Sequence, residues 1–308
     1  MTINEFIEEL IQKKIEISFS MGKLRYSGPE EYITPELIDN LKKYKGRLLK
    51  HFWPKEYSNM MPINTEGNKI PLFLVHSDHG NYTISDYFGS DQPVYGFFHP
   101  GSNGGKIIYK NIKEMANAYL NQILSLRPSG PYYLSGFSFG GVLAFEMAVQ
   151  LQKLGQDVPF LVLIDAISPL AHESIKWNSN FFKLIRSNIL SPIKIKIELH
   201  VKLSICKLCF LFNQPIPVKW HQFYRWETYK MLSKKYKPDK FKGDILLFKT
   251  SENTSTFEYL GWETLADEIK MFTLEAGHLT IFKNKKSIDV LQIELEKLLN
   301  HINKSYRE

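Results

Sequence analysis

Residues 132–154 read YYLSGFSFGGVLAFEMAVQLQKL. A short apolar run, YYL, enters a glycine-rich turn, and the turn enters a helical pattern, VLAFEMAVQLQKL. At the centre, Gly136-Phe137-Ser138-Phe139-Gly140 has the spacing G-x-S-x-G. A serine on a strand-to-helix elbow is forced into a strained turn, so the residues two positions away on either side must be small. Gly136 and Gly140 meet that need. The bare pattern is common by chance, but between a strand and a helix it marks Ser138 as a nucleophile.

Outward from the elbow, the same alternation repeats. PLFLVH at 71–76 reads as a buried strand, with further strand candidates at 94–97, 132–134, 160–164, 245–248 and 269–272. Helical segments lie between most of them, notably 112–126, 140–154 and 287–302. Alternating strands and helices specify an α/β fold, a mostly parallel sheet with helices on both faces. Residues 171–236 break the alternation with aromatic and basic helical material. An insertion that late in the sheet falls over the strand ends, where sites of such folds lie, and it reads as a helical lid.

A serine hydroxyl needs a base, and the base needs an orienting carboxylate. Of the nine histidines, His278 in LEAGHLTIF follows the last strand candidate and precedes the final helix, the place for the base. His76, His79 and His99 read as loop or rim residues. Two acids are open. Asp165 ends the apolar run FLVLI, and Glu252 follows ILLFKTS one strand later; both strand ends flank one crevice. An aspartate closing a buried strand is a poor structural choice without a partner, which favours Asp165. Two main-chain N–H groups should face the developing oxyanion. Phe139, next to the nucleophile, supplies one, and Asp78, in the loop after the first strand, supplies the other. The Asp78 carboxylate is expected to turn outward; the alternative is action on an incoming nucleophile.

Two other patterns carry no site. GSNGGK at 101–106 has the wrong glycine spacing for a phosphate loop, and Ile107 stands where a Ser or Thr is required. Cys206-Lys-Leu-Cys209 has no second cysteine pair for zinc.

The first 53 residues form a separate pattern. Ile3, Phe6, Ile7, Leu10 and Ile11 share one helix face, with Thr2 and Glu5 placed as a capping box. Ile15, Ile17 and Phe19 alternate with polar residues, Met21-Gly22 turns, and Leu24 and Tyr26 continue on a return strand. Thr34-Pro35 opens a second helix lined by Leu37, Leu41, Tyr44, Leu48 and Phe52. Residues 55–70 show no periodicity and read as a linker.

The 308 residues carry a net charge of +7, concentrated in one place: residues 170–249 hold 16 Lys and Arg against 5 Asp and Glu. A one-signed patch is either a solvated helical face or a landing face for an acidic protein. No nucleic-acid-binding motif accompanies the charge. The longest apolar runs, such as CFLF at 209–212, are too short for a bilayer, and MTINEFIEEL lacks the features of a signal peptide. Two cysteines make no disulfide framework, which points to a reducing, cytoplasmic setting.

On GPYYLSGFSFGGVLAFEMAVQLQKLGQDV, FLVLIDAISP and the GH of LEAGH, residues 71–302 resemble the thioesterase domains of nonribosomal peptide and polyketide synthases, with their α/β-hydrolase fold. In that family the acid commonly follows the strand after the nucleophile helix, which maps onto Asp165. The chain departs from the family at Asp78-His79-Gly80, where a small residue and paired glycines are usual. Residues 1–54, through the amphipathic first helix, IEISFSMGKLRYSG and ITPELIDNLKKYKGRLL, resemble the tubulysin-synthetase type of N-terminal docking domain, a small α+β unit of order αββα.

The resemblance implies a docking domain at 1–54, a linker at 55–70 and a thioesterase at 71–308 with its lid at about 171–236. It implies release of an acyl or peptidyl chain from the phosphopantetheine arm of a carrier protein, with no resident cofactor. Lys23, Arg25, Lys42, Lys43 and Arg47 would meet the acidic tail of an upstream synthase subunit by strand addition. The rivals are an editing thioesterase that clears stalled carriers and an esterase or lipase on free substrates with a structural N-terminal cap.

Overall fold

The computed structural model describes residues 3–20, 23–52, 59–65, 67–76, 85, 91–102, 104–171 and 192–305. Its first unit is α1 (Ile3–Gln12), β1 (Glu16–Ser20), β2 (Lys23–Ser27) and α2 (Pro35–Phe52). β1 and β2 pair antiparallel from Glu16↔Ser27 to Ser20↔Lys23. The Thr34 hydroxyl accepts from the Leu37 amide at 3.2 Å, capping α2 where its first amides lack helical partners. Phe6, Leu10, Leu37, Leu41 and Leu48 close a core of their own. Ile11, expected on that face, is 68% exposed. At about 100° per residue it lies well round the helix from Phe6, beyond the stripe that reaches α2. Thr2 of the expected capping box lies outside the described residues.

The second unit is built on one seven-stranded sheet. Its strands are β3 (Met60–Asn64), β4 (Leu72–Val75), β5 (Val94–Phe97), β6 (Tyr133–Phe137), β7 (Phe160–Ile164), β8 (Asp244–Thr250) and β9 (Glu268–Leu274). They run in the order β3-β5-β4-β6-β7-β8-β9, parallel except for β3. β3 corrects the linker reading: five of those residues join the sheet edge, antiparallel to β5. Only Met60 is fully buried there, so no apolar alternation marks the strand, and Pro62 is tolerated because an edge has unpaired positions.

Strand residues alternate between two cores. Phe73, Val75, Leu161 and Leu163 face one side, under α3 (Ile112–Leu126) and α4 (Phe139–Lys153). Leu72, Leu74, Phe160, Val162 and Ile164 face the other, under α7 (Lys285–Ser305). Burial on both faces makes these strands apolar throughout, and each enclosed Leu, Ile or Phe contributes about 1.5–3 kcal/mol. α4 is apolar nearly all round, since it is the central helix of its layer.

The register decides where the site falls. Val75 pairs with Gly136, Gly136 with Leu163, and Leu163 with Leu247. β4, β6 and β7 therefore end level, which puts His76, Ser138 and Asp165 along one rim. Strand order reverses about β4, which lies between β5 and β6. That reversal opens the crevice in which such sheets hold ligands.

Between β7 and β8 stand α5 (Pro192–Leu211) and α6 (His221–Lys234), the described part of the lid. The Ile216 amide donates to the Gly104 carbonyl at 3.0 Å, and the His221 ring meets the Ser102 and Ile216 carbonyls at 3.1 and 3.0 Å. This explains Gly104 of GSNGGK. A side chain on Gly104 would run into His221 Nε2 at 2.6 Å, and its φ is +80°. Beyond α6, the buried Tyr236 hydroxyl donates to Glu146 on α4 at 2.5 Å, and burial pushes that phenol up. Among the described residues, no helix is long and apolar enough to cross a membrane.

Candidate active site

Ser138 sits between β6 and α4 with φ 55° and ψ −124°, a strained turn for a non-glycine residue. Two bonds hold it: its amide donates to the Ile164 carbonyl at 2.9 Å, and its carbonyl accepts from Gly141 at 3.0 Å. The flanking glycines are obligatory. A Cβ on Gly136 would strike the Gly140 main chain, and one on Gly140 would strike the Val75 carbonyl and, at 2.6 Å, the His76 Cβ. The close approach of β4 to the helix start, not the turn alone, requires Gly140.

Asp165 ends β7 with φ 43° and a side chain almost fully buried. His278 Nδ1 lies 2.6 Å from its Oδ2. The Thr250 hydroxyl reaches the same oxygen at 3.0 Å, while the Thr250 amide and the Asn253 side chain reach Oδ1 at 3.1 and 2.9 Å. Burial pushes the carboxyl up, but the bond and charge of His278, with Asn253 and Thr250, outweigh it and hold Asp165 below the ordinary carboxylate value. His278 remains partly exposed, and its ring stacks on Phe137, adjacent to Ser138, with centroids 4.8 Å apart. Glu252 is exposed, with its carboxylate against Gly277. The imidazole's Nδ1 is bonded to Asp165, not to Glu252.

Phe139 opens α4, and its ring lies flat on Tyr229 of α6, with centroids 4.0 Å and planes 6° apart. Asp78 and His79 lie outside the described residues. His76 and His99 were read from sequence as rim residues; His76 is instead fully buried and His99 partly so, with their rings 4.2 Å apart beneath the lid. His76 Nε2 meets the Tyr119 hydroxyl at 2.8 Å, and His99 Nδ1 meets the Tyr229 hydroxyl at 2.9 Å. Burial, with the charges of His99 and Arg225, lowers His76 well below its ordinary value; burial and Arg225 lower His99 to about 3. Both are neutral at any working pH.

Thr250, Asn253 and Tyr229 were not read from the sequence. KTSEN has no pattern that marks acceptor-seeking donors, and an aromatic in a lid helix looks like core. In the first unit, Lys42 is exposed and pairs with Asp39 at 3.2 Å, while Lys43 lies over the Tyr44 ring. Lys23 and Arg25 lie on β2, opposite Ser20 and Ser18. The side chains of Lys23, Arg25 and Arg47 fall outside the described set.

A strained serine elbow level with a bonded Asp–His pair, its aspartate buried, on a mostly parallel sheet, is the arrangement of the α/β-hydrolase fold. Comparison with known proteins narrows the class. Residues 82–186 match the thioesterase domain family, and residues 3–53 match the TubC N-terminal docking domain. The chain thus carries a thioesterase-type hydrolase domain behind a TubC-type docking domain. Malpibaldin synthetase of Mortierella alpina is 29% identical over 243 residues, 74% of this chain and 4% of that protein. Atromentin synthetase of Tapinella panuoides is 32% identical over 176 residues, 54% of this chain and 18% of its own length. The chain therefore spans only a small part of these relatives. The crystal structure of the NocB thioesterase domain from the nocardicin cluster superposes with a TM-score of 0.56 at 20% identity, covering 78% of this chain and 99% of that one. At that identity the likeness speaks for the fold.

Proposed function

We propose that the protein is a serine thioesterase that acts in trans, releasing an acyl or peptidyl chain from a carrier protein of a nonribosomal peptide or polyketide assembly line. The observation that carries this is the bond from His278 to the buried Asp165 at the level of the Ser138 elbow. Ser138 Oγ attacks the thioester carbonyl while His278 takes its proton, and Asp165 holds the imidazole tautomer and stabilises the cation that forms. The amides of Phe139 and Asp78 receive the oxyanion. Collapse breaks the C–S bond, His278 returns the proton to the thiol, and the acyl group remains as an ester on Ser138. Water, a hydroxyl or an amine then attacks the ester by the same relay. This scheme draws on no resident cofactor, since the phosphopantetheine arm belongs to the carrier.

The partners are an upstream synthase subunit, through an acidic tail added to the β1–β2 hairpin, and the carrier protein. Lys23, Arg25, Lys42, Lys43 and Arg47 are the candidate contacts for the tail. The carrier's landing face is assigned to α5. Val201, Ile205 and Leu208 are exposed there at i, i+4 and i+7, with exposed Phe212 just past the helix end, while Cys206 on another face is buried. A surface helix that is apolar on both sides wants a partner, and exposed Lys207 on α5 with exposed Lys219 in the segment after it favour an acidic one over a second copy of this basic chain. A reducing, cytoplasmic setting fits the two free cysteines.

A fluorophosphonate probe should label the protein and lose that label on Ser138→Ala; an unlabelled wild type would end the serine-enzyme reading. Deleting residues 1–54 should slow release from a tailed synthase subunit and spare a small thioester, whereas equal loss on both would favour a structural cap.

A further inference from the structure

We infer that Tyr229 is a positioning residue: from the lid helix α6 it holds Phe139, and through Phe139 the main-chain N–H at the nucleophile elbow. The inference rests on the reading of Phe139 as oxyanion donor. The first amides of a helix have no acceptor within the helix, so the Phe139 N–H is free for a substrate oxygen. No acceptor within the helix helps to fix its direction. Its peptide plane is held on one side by the Ser138 carbonyl, which accepts from Gly141 at 3.0 Å, and the other hold on the first α4 residue is what grips its side chain.

That grip comes from the lid. The Tyr229 and Phe139 rings are nearly parallel at 4.0 Å, and the His76 ring stacks against both, at 5.7 Å from Tyr229 and 6.1 Å from Phe139. The Tyr229 ring cannot slide, because its hydroxyl bonds His99 Nδ1 at 2.9 Å. His99 is itself packed against His76, which is tied to Tyr119 on α3. A directional polar contact inside a mostly aromatic interface favours one register, since a shift breaks this bond. The lid helix and the oxyanion donor therefore form one mechanical unit.

The test uses the full chain and a short acyl thioester of N-acetylcysteamine, too small to need the lid for binding. Loss of an oxyanion donor costs about 10²–10³ in rate, so its misplacement by Tyr229→Leu should lower kcat by about tenfold or more and leave KM within about twofold. The affinity of an alkylboronic acid, which forms a tetrahedral adduct on serine, should fall in parallel with kcat/KM. Tyr229→Phe, which keeps the ring, should recover most of the rate. Phe139→Ala should match Tyr229→Leu, and the double variant should be no slower than either, because both remove one coupling. Unchanged kcat in Tyr229→Leu, a change confined to KM, or multiplicative losses in the double variant would each overturn the inference. Should Tyr229→Leu fail to fold by circular dichroism, Phe139→Leu, on the other side of the stack, carries the same expectation. A wild type that fluorophosphonate does not label would instead sink the serine-enzyme reading; a labelled one with full turnover in Tyr229→Leu would sink only this inference.

Discussion

His99 should make the protein acid-sensitive in a calculable way. Burial and the charge of Arg225 lower it from the ordinary 6.5 to about 3. Between those values the unfolded chain holds a proton that the folded protein refuses. Stability is therefore complete above about pH 6.5 and falls as pH drops, by about 1.4 kcal/mol per unit, until the folded form also titrates. From pH 7 to pH 5 this one group should cost about 2 kcal/mol. His76, lowered in the same sense, adds to the slope. His99→Asn keeps a polar atom near the position of Nδ1 for the Tyr229 hydroxyl and removes the titration. Urea unfolding of both proteins at pH 7 and pH 5 isolates the effect, because every other titrating group is common to the two. The wild type should lose about 2 kcal/mol more than the variant across that interval. An equal loss in both would mean that His99 is solvated or already charged in the folded state, and the account of the pocket under the lid would fail.

Other expectations follow from the site and the lid. Asp165→Asn should lower kcat by about 10⁴, as expected where the carboxylate holds the tautomer of the base, while Glu252→Gln should leave turnover near wild type. Strong loss in Glu252→Gln would reassign the acid. The same carboxylate, held below its ordinary value, stabilises the fold above about pH 4, an advantage that disappears as pH falls through its folded value. Thermal unfolding of wild type and Asp165→Asn should accordingly converge in acid. Joint Lys207→Glu and Lys219→Glu substitution on the lid should raise KM for a carrier-bound thioester about tenfold and spare a small one; equal effects on both substrates would remove the carrier from that face.

Much of this architecture is legible in local runs. PLFLV and FLVLI are apolar throughout because parallel strands are covered on both faces, and the glycines around Ser138 announce a turn that admits no Cβ. The order helix–hairpin–helix at the N-terminus is equally local, set by alternation and by the Thr34-Pro35 cap. Such features depend on a residue and its near neighbours, so periodicity reports them.

The remainder depends on which distant segments meet. Asp165 and Glu252 were both eligible by position; the register of β7 with β8 brings Thr250 and Asn253 to Asp165, and the fold leaves Glu252 in solvent. Met60–Asn64 is a strand because β5 offers an edge, which its own sequence does not disclose. His76 and His99 looked like rim residues because a histidine after a strand faces solvent unless something covers it. The cover is α6, more than a hundred residues away in the chain, and its arrival makes both neutral and sets Tyr229 on Phe139. Local sequence thus settles most of the elements and the serine elbow, whereas long-range packing settles each partner, because a side chain's charge and bonding depend on what encloses it.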